Sequence, residues 1–295
     1  MKTSIVCFGE MLWDVLPTGK QPGGAPMNVA VHLKNLGHDP KMISRVGNDD
    51  LGHELVAFVA EKGLDTTYIQ TGRTHLTGIV KANVSDKNEV TYKIVQPVAW
   101  DYIQYSDEIG EAVAQADMFV YGSLAARSAT SVATLDQLLV KAKTKVFDVN
   151  LRAPFYDQEI VEPLMRQADV VKMNANELEL ISSWYHSEPD ERKSMLFMVE
   201  TFGLKTLCVT KGEEGAVLFM DGEFYQSAGF EVEVQDTIGS GDSFLAALLT
   251  SLSEGKAPAD CVRFACGMGS LVATYRGATP EVTAEDVYSF LQTHE

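Results

Sequence analysis

The sequence is poor in the residues that build metal and redox centres. Its 295 residues include only four cysteines and six histidines. The cysteines (Cys7, Cys208, Cys261 and Cys266) lie in or beside apolar segments without CxxC spacing, and the histidines form no HxxxH pair. This distribution favours buried, reduced thiols over zinc binding or redox chemistry.

Positive charge is also scarce. The chain has 24 Lys and Arg residues against 41 Asp and Glu residues, a formal net charge of −17. Such a surface repels nucleic acid and anionic membranes as a whole, so neither is expected as a partner. An anionic ligand must therefore bind where positive charge is concentrated locally.

Long apolar runs are missing as well. No stretch reaches membrane-spanning length, and residues 1–10 lack the basic region and apolar core of a signal peptide. The sequence therefore predicts a cytoplasmic protein.

Several catalytic motifs are absent, and each absence disfavours a class of enzyme. The chain has no G-x-x-x-x-G-K-[ST] loop and no H-R-D or D-F-G motif, which disfavours P-loop NTPases and protein kinases. It has no G-x-G-x-x-G after its first strand-like segment and no G-x-S-x-G, which disfavours dehydrogenases and α/β-hydrolases.

What the chain does have is a regular alternation of strand and helix patterns. Strand-like apolar runs occupy residues 5–8, 42–46, 118–121, 145–147, 170–173, 206–209 and 216–220. Helical periodicities between them occupy residues 29–36, 51–62, 132–142, 160–168 and 192–201. The alternation predicts an α/β fold with a doubly wound, mostly parallel sheet and helices on both faces.

One region interrupts this alternation. Residues 77–84 and 90–94 alternate apolar and polar side chains around the polar turn 85–89, as expected of a half-exposed hairpin. No internal repeat or linker is present, so we expect one domain over residues 1–295, with a small β lid formed from about residues 11–22 and 75–102. The C-terminal part predicts three helices, over 243–253, 258–274 and 283–293.

The segment richest in chemistry is D-T-I-G-S-G-D-S-F at residues 236–244. Small residues at Gly239, Ser240 and Gly241 leave backbone N–H groups open at a helix start, where the helix dipole favours an anion. Asp242 follows directly and is placed to accept a proton from a hydroxyl that attacks a phosphorus atom bound there. The alternative role for Asp242 is a helix cap or first-turn acid.

This segment resembles the C-terminal signature of the PfkB sugar kinases, D-T-x-G-A-G-D-x-F, with Ser240 in place of the commoner alanine. Six further matches follow the family's order along the chain: G-E at 9–10 with Asp14, G-G-A-P-M-N-V-A at 23–30, V-G-N-D-D-L-G at 46–52, D-V-N-L-R at 148–152, N-A-N-E at 174–177 and T-K-G-E-E-G at 210–215. The resemblance implies a ribokinase-like fold and ATP-dependent phosphorylation of a small sugar.

The resemblance also assigns a sugar site near the start of the chain. Asp14, Gly23, Gly24 and Asn28 match positions that hold the sugar in such kinases. Other roles fit these residues too: Asp14 as a solvated loop acid, and the glycines as a turn with Asn28 capping a helix that begins at Val29.

On the phosphate side, the resemblance places Asn174 and Glu177 near Mg²⁺ and phosphate, with Glu177 reaching the metal through water. A capping box is the alternative for this pair. Arg152 is expected to provide positive charge for the ATP phosphates, although it could instead form a structural salt bridge.

The remaining assignments concern the nucleotide. Thr210, Lys211, Gly212 and Gly215 match the family's nucleotide-side loop, or form a turn between two strands. By resemblance, Cys266 and Gly269 line the adenine, although close helix packing also explains the small side chains there. Asp236 and Ile238 match a loop that binds K⁺ in many family members.

Within the family, the segments G-G-A-P and F-D-V-N-L-R are most similar to those of fructokinases, which implies D-fructose as the acceptor. Ribose, 2-keto-3-deoxygluconate and adenosine stay open as acceptors. A non-catalytic sugar sensor is the alternative from another class, and the intact Asp242 disfavours it. The exposed edge of the lid also predicts a homodimer through the lid.

Overall fold

The structure, a computed structural model, describes residues 3–16, 19–84, 90–185 and 190–294. Its strands, numbered in chain order, are β1 (Ile5–Phe8), β2 (Leu12–Leu16), β3 (Gly19–Gly23), β4 (Lys41–Gly47), β5 (Ile69–Gly72), β6 (Gly78–Val84), β7 (Val90–Ile94), β8 (Met118–Gly122), β9 (Lys145–Asp148), β10 (Val170–Asn174), β11 (Thr206–Thr210), β12 (Ala216–Met220) and β13 (Glu223–Ser227). Its helices are α1 (Ala25–Asn35), α2 (Asp50–Glu61), α3 (Asp107–Gln115), α4 (Ala129–Lys141), α5 (Gln158–Gln167), α6 (Ala175–Ser183), α7 (Glu191–Phe202), α8 (Ser240–Ser253), α9 (Pro258–Ala273) and α10 (Ala284–Thr293).

The main sheet has nine strands in the order β13-β12-β11-β10-β9-β8-β1-β4-β5. From β11 to β5 every neighbouring pair is parallel, whereas β12 runs antiparallel to both of its neighbours. Since parallel strands are covered on both faces, they consist of nearly continuous apolar residues, and β1 is buried throughout.

Helices cover both faces of this sheet and form two apolar cores. Helices α1, α2, α8, α9 and α10 pack on one face, against side chains such as Ile5 and Cys7 of β1. Helices α3 to α7 pack on the other, against the alternate residues Val6 and Phe8. The prediction of a doubly wound, mostly parallel sheet is confirmed.

A second sheet of four strands, in the order β3-β2-β6-β7, contains the segments predicted to form a lid, and a lid role for it stays a prediction. The hairpin of β6 and β7 was predicted, and its turn at 85–89 lies outside the described residues. β2 and β3 pair antiparallel, and β2 joins β6 in parallel. Both strands overlap the predicted lid range, but neither was predicted as a strand. The sequence of β3, G-K-Q-P-G, contains none of the β-branched or aromatic residues that favour strands.

The predicted helices are all present, with ends that differ by a few residues. The largest difference is at α1, which begins at Ala25 rather than Val29 because Pro26 is tolerated in a first helical turn. In the described part of the chain, no helix is long and apolar enough to cross a membrane.

Candidate active site

The candidate active site lies where the ends of β1, β9 and β10 meet the start of α8. In parallel α/β sheets, ligands bind in the crevice beyond the carboxyl ends of the strands. Charged groups from these elements interact with one another there: Glu10 after β1, Asp148 at the end of β9, Lys172 on β10 and Asp242 in the first turn of α8.

The segment predicted to form an anion cradle lies at the start of α8. Gly239 is the N-cap residue, with a left-handed φ of 80° and no side-chain cap, so the first amides of the helix are not masked. The N–H of Ser240 donates to Thr237 O at 3.2 Å. The N–H groups of Gly239, Gly241 and Asp242 have no acceptor among the described residues, so these three are the open donors of the cradle.

Asp242 does not cap its own helix. Its Oδ2 instead accepts a hydrogen bond from Nδ2 of Asn28 at 2.8 Å, which joins the start of α8 to the first turn of α1. Burial raises the pKa of Asp242, while Lys172, the Asn28 amide and Arg152 each lower it. A carboxylate held by neighbouring positive charges and beside open amides is suited to act as a base.

Lys172 lies directly beneath the cradle, and the sequence analysis did not single it out. Its Nζ lies 3.1 Å from Oδ1 and 3.4 Å from Oδ2 of Asp148, and both side chains are buried. A Cβ atom at Gly241 would lie 3.2 Å from this Nζ, so the ammonium group approaches the cradle closely. Burial alone lowers the pKa of Lys172, but Asp148, Asp242 and Glu177 outweigh it and raise the pKa. The sequence signal that could have identified Lys172 is a lysine inside an otherwise apolar strand.

On the predicted sugar side, the structure brings the four proposed residues to adjoining positions. Asp14 lies on β2, and its Oδ2 would be 2.4 Å from a Cβ at Gly23, so Asp14 occupies the space above that glycine. Burial raises the pKa of Asp14, and Arg152 lowers it. Gly24 is the N-cap of α1 with φ of 116°, and a Cβ there would collide with Glu10 O at 2.3 Å.

Asn28 is not a helix cap, so this alternative is wrong. It lies inside α1, and its backbone N–H donates to Gly24 O. Its side chain is buried, with Nδ2 on Asp242 and Oδ1 without a donor among the described residues. An unpaired buried acceptor beside the crevice can accept a hydrogen bond from a ligand hydroxyl.

Asn174 and Glu177 form the capping box that was the alternative to a metal role. Asn174 Oδ1 accepts from Glu177 N at 2.9 Å, and Glu177 Oε2 accepts from Asn174 N at 2.8 Å. Oε1 of Glu177 also accepts from Leu151 N at 2.8 Å, so Glu177 fixes the loop that carries Arg152. Arg152 is exposed and forms no salt bridge in the described part of the chain, yet its charge lowers the pKa of Asp14, Asp242 and other acids of the site.

The nucleotide-side segment is the turn of an antiparallel hairpin between β11 and β12. Gly212 and Gly215 have φ of 59° and 91°, and Thr210 Oγ1 reaches Met173 O at 3.5 Å. Nζ of Lys211 lies 3.5 Å from Oε1 of Glu191. The alternative prediction, that this segment forms a turn between two strands, is therefore confirmed. Contact of this turn with a nucleotide stays a prediction.

The predicted adenine wall is closely packed. Cys266 on α9 is buried, with its Sγ 4.0 Å from Ser227 O. A Cβ at Gly269 would lie 3.3 Å from Ser240 O, so α9 approaches the cradle helix through this glycine. The helix-packing explanation accounts for these contacts, and a role toward adenine stays a prediction.

The loop predicted to bind K⁺ is tied together by one carboxylate. Asp236 Oδ1 accepts from Ile238 N at 3.0 Å and Oδ2 accepts from Gly277 N at 3.2 Å, while the Ile238 side chain is exposed. These bonds fix the loop that precedes the cradle. Cation binding there stays a prediction.

The acidic residues on the phosphate side already have partners within the protein. Within the described ranges, no group of three or more His, Cys, Asp or Glu side chains could hold a metal ion. Both oxygens of Glu177 accept backbone N–H bonds, and Asp148 is paired with Lys172. Either carboxylate would therefore reach a phosphate-bound Mg²⁺ only through water, and such contact stays a prediction.

Comparisons with known proteins find relatives over nearly the whole chain. An Escherichia coli fructokinase is 30% identical over an alignment of 300 positions, gaps included, which covers 94% of this chain and 95% of the relative. A probable fructokinase-3 of Arabidopsis thaliana is 29% identical over an alignment of 322 positions, gaps included, which covers 99% of this chain and 92% of the relative.

Solved structures share the fold across the whole chain. A Xylella fastidiosa fructokinase with bound ATP has a TM-score of 0.88 at 23% identity, covering 99% of both chains. A Vibrio cholerae fructokinase with fructose, ADP and calcium has a TM-score of 0.83 at 24% identity, covering 98% of this chain and 99% of that chain. A 2-dehydro-3-deoxygluconokinase of Thermotoga maritima has a TM-score of 0.85 at 20% identity, covering 99% of both chains.

The model of the pfkB family carbohydrate kinases matches residues 2–284, nearly the full chain. Together with the cradle at the start of α8 and the neighbouring carboxylate of Asp242, this match identifies the chain as a member of the pfkB family of carbohydrate kinases.

Proposed function

We propose that this protein transfers the γ-phosphoryl group of ATP to D-fructose and forms fructose 6-phosphate. The observation that carries the proposal is the position of Asp242, whose carboxylate is held by Asn28 beside the open amides of the cradle. Similarity to fructokinases over nearly the whole chain supports fructose as the acceptor.

In the proposed reaction, Asp14, Gly24 and Asn28 hold the sugar so that its primary hydroxyl faces the γ-phosphorus. Asp242 takes the hydroxyl proton while the sugar oxygen bonds to phosphorus, and the bond from phosphorus to the bridging oxygen of ADP breaks. The open amides of Gly239, Gly241 and Asp242 donate to the phosphoryl oxygens, where negative charge accumulates.

The two cations of the site have different tasks in this proposal. Lys172, fixed by Asp148 beneath Gly241, supplies a buried positive charge that does not have to reorganise during the reaction. Arg152 is exposed and can follow the ATP phosphates as they enter. Mg²⁺ bound to the ATP phosphates would neutralise further charge, and Glu177 and Asn174 would contact it through water.

Further assignments belong to the same proposal. Thr210, Lys211, Gly212, Gly215, Cys266 and Gly269 would line the nucleotide, and Asp236 and Ile238 would hold K⁺. The chain would act as one domain whose lid, residues of about 11–22 and 75–102, closes over the sugar and excludes water.

Two copies of the chain would pair through the lid in the cytoplasm. Light scattering that shows only monomer at micromolar concentration would exclude this dimer.

The acceptor is tested by ADP release with Mg-ATP against fructose, ribose, 2-keto-3-deoxygluconate and adenosine. We expect the highest kcat/KM for fructose, and ³¹P NMR of the product should place the phosphate on C6. Asp14→Ala should raise the fructose KM far more than the KM for ATP, because it removes a carboxylate from the sugar site alone. Preference for another acceptor would refute the fructose assignment, and no turnover with any of the four would refute the proposal as stated.

A further inference from the structure

The buried polar face of helix α1 points to an unassigned contributor to phosphoryl transfer. Asn28, His32 and Asn35 are spaced four and three residues apart and therefore lie on one face of the helix. Asn28 binds Asp242, as described above. His32 and Asn35 bind the loop of residues 278–280, which follows α9.

Each of the three consecutive carbonyl groups in this loop accepts a side-chain hydrogen bond. His32 Nε2 lies 2.9 Å from Ala278 O, Lys62 Nζ lies 3.3 Å from Thr279 O, and Asn35 Nδ2 lies 3.1 Å from Pro280 O. A carbonyl oxygen only accepts, so Nε2 of His32 carries the proton. Side chains of α1 and of Lys62, which directly follows α2, thus fix the path of a distant loop.

This loop forms one wall of the anion cradle. A Cβ atom at Gly239 would lie 2.2 Å from Ala278 O and 2.8 Å from Ala278 C, so the two residues are in close contact. Ala278 O therefore lies between His32 Nε2 and the residue that begins the cradle. A shift of the 278–280 loop would change the position of Gly239 and of the amides that follow it.

His32 has the properties of a fixed structural donor. Its side chain is fully buried, and its Nδ1 has no partner among the described residues. The pKa of His32 is lowered to about 4. Burial is the main cause and the charge of Lys62 adds to it, while the hydrogen bond to Ala278 O opposes them. The ring is therefore neutral at neutral pH, and its one N–H is committed to Ala278.

We propose that His32 is a positioning residue for phosphoryl transfer, and that it acts by fixing Ala278 against Gly239 at the start of the cradle. This inference rests on the proposed function. One helix then sets both halves of the reaction centre, because Asn28 orients the base while His32, one turn later, fixes the amides that face it. Errors of about 1 Å in such an arrangement can lower the rate roughly 100-fold.

The test compares His32→Leu with His32→Gln. Leucine fills the space without a donor, whereas the glutamine amide can still reach Ala278 O. We expect His32→Leu to lower kcat by about 10-fold to 100-fold with the fructose KM changed less than about twofold. We expect His32→Gln to recover most of that loss.

Thr250→Val is the matched control. It removes two buried contacts of Thr250 Oγ1 in the C-terminal half of α8: its contact with His38 Nε2 at 3.1 Å and its hydrogen bond to Ala246 O at 2.8 Å. It should lower Tm without lowering kcat. If His32→Leu does not fold, His32→Asn takes its place, because its amide is one methylene too short to reach the carbonyl.

Hydrogen exchange measured by mass spectrometry supplies a readout that needs no acceptor sugar. Segments 236–242 and 276–280 should exchange faster in His32→Leu than in the wild type or in His32→Gln. Unchanged exchange in 236–242, or a loss of kcat no larger than in Thr250→Val, would overturn the positioning role. Absence of any wild-type turnover would instead refute the proposed function and leave the exchange comparison as the test of the contact.

Discussion

At the scale of single residues, the candidate site is a small set of buried charges that constrain one another. Lys172 is paired with Asp148, and its charge also lowers the pKa of Asp242. The glycines and Asp242 could be predicted because a cradle needs small residues at a helix start. Lys172 was missed, although a lysine inside an apolar strand was an available signal. Its position beside Asp148 depends on the parallel pairing of β9 and β10 and could not be predicted.

Replacing Lys172 with Met should shift the pH dependence of the reaction. Asp242 must be ionised to act as a base, so activity is lost as the pH falls through its pKa. Removing the positive charge raises that pKa, so the acid limb of kcat/KM should move to higher pH, and kcat should fall on the order of 100-fold. A pH series of initial rates measures both effects.

The control for this prediction is the double variant Lys172→Met with Asp148→Asn, which avoids leaving a buried carboxylate without its partner. The double variant should be more stable than the single one, and its acid limb should shift less, because it also removes the negative charge of Asp148 that interacts with Asp242. In the single variant, an acid limb identical to that of the wild type would show that Lys172 does not act on Asp242.

At the scale of elements, helix starts organise the site, and they were the hardest features to predict. The glycines and proline before Asn28 suggested a turn with a cap, but α1 begins before Asn28 and directs its amide across to α8. The V-G-N-D-D-L-G segment is another helix start. Its Asp49 caps α2 by accepting from Gly52 N and also accepts from Thr77 N and Oγ1, next to strand β6 of the second sheet.

Asp49→Ala should therefore change both the stability of the protein and its binding of the sugar. We expect a loss of about 0.5–2 kcal/mol in the free energy of unfolding, typical of a lost cap, together with a raised KM for the sugar. The hydrogen bonds from Gly52 and Thr77 also hold the pKa of Asp49 low, although burial raises it. Denaturant melts and steady-state kinetics measure the two effects.

Asp157→Ala is the comparison. Asp157 caps α5 with one hydrogen bond, from Ile160 N at 2.9 Å, and it lies at an exposed helix start. Asp157→Ala should lower the free energy of unfolding by an amount similar to that for Asp49→Ala and leave the KM for the sugar unchanged. Equal kinetics in the two variants would mean that Asp49 is only a helix cap.

At the scale of the whole molecule, the fold followed from periodicity because seven strands of the main sheet are apolar runs. The edge strands β5 (I-Q-T-G) and β13 (E-F-Y-Q-S) were not predicted, since neither is a continuous apolar run. The pairing of β2 with β6 could not be predicted from the sequence, since the two strands are far apart in sequence and β3 carries no apolar pattern.

The burial of acidic side chains could not be predicted from the sequence either. Glu10 is 3% exposed, and burial raises its pKa to about 7, with Asp242 adding to the rise and its own amide and Arg152 opposing it.

The raised pKa of Glu10 links stability to pH. The folded protein holds a proton on Glu10 between the ordinary pKa of 4.5 and the raised value of about 7, so its contribution is complete below this window and is lost as the pH rises through it. Relative to Glu10→Gln, the wild type should lose on the order of 3 kcal/mol of stability between pH 4.5 and 8.

Urea melts at several pH values test this linkage. Glu159→Gln, on the exposed first turn of α5, is the control and should follow the wild type at every pH. If the difference between wild type and Glu10→Gln does not change with pH, then Glu10 titrates normally and is not buried as described.

The central claim is that Asp242 is the base for phosphoryl transfer over the cradle of α8. The most direct test measures turnover of fructose and binding of Mg-ATP in Asp242→Asn, which keeps the shape of the side chain and removes its basicity. We predict that kcat falls about 100-fold or more while the Kd for Mg-ATP changes little. Near-normal turnover in this variant would contradict the account.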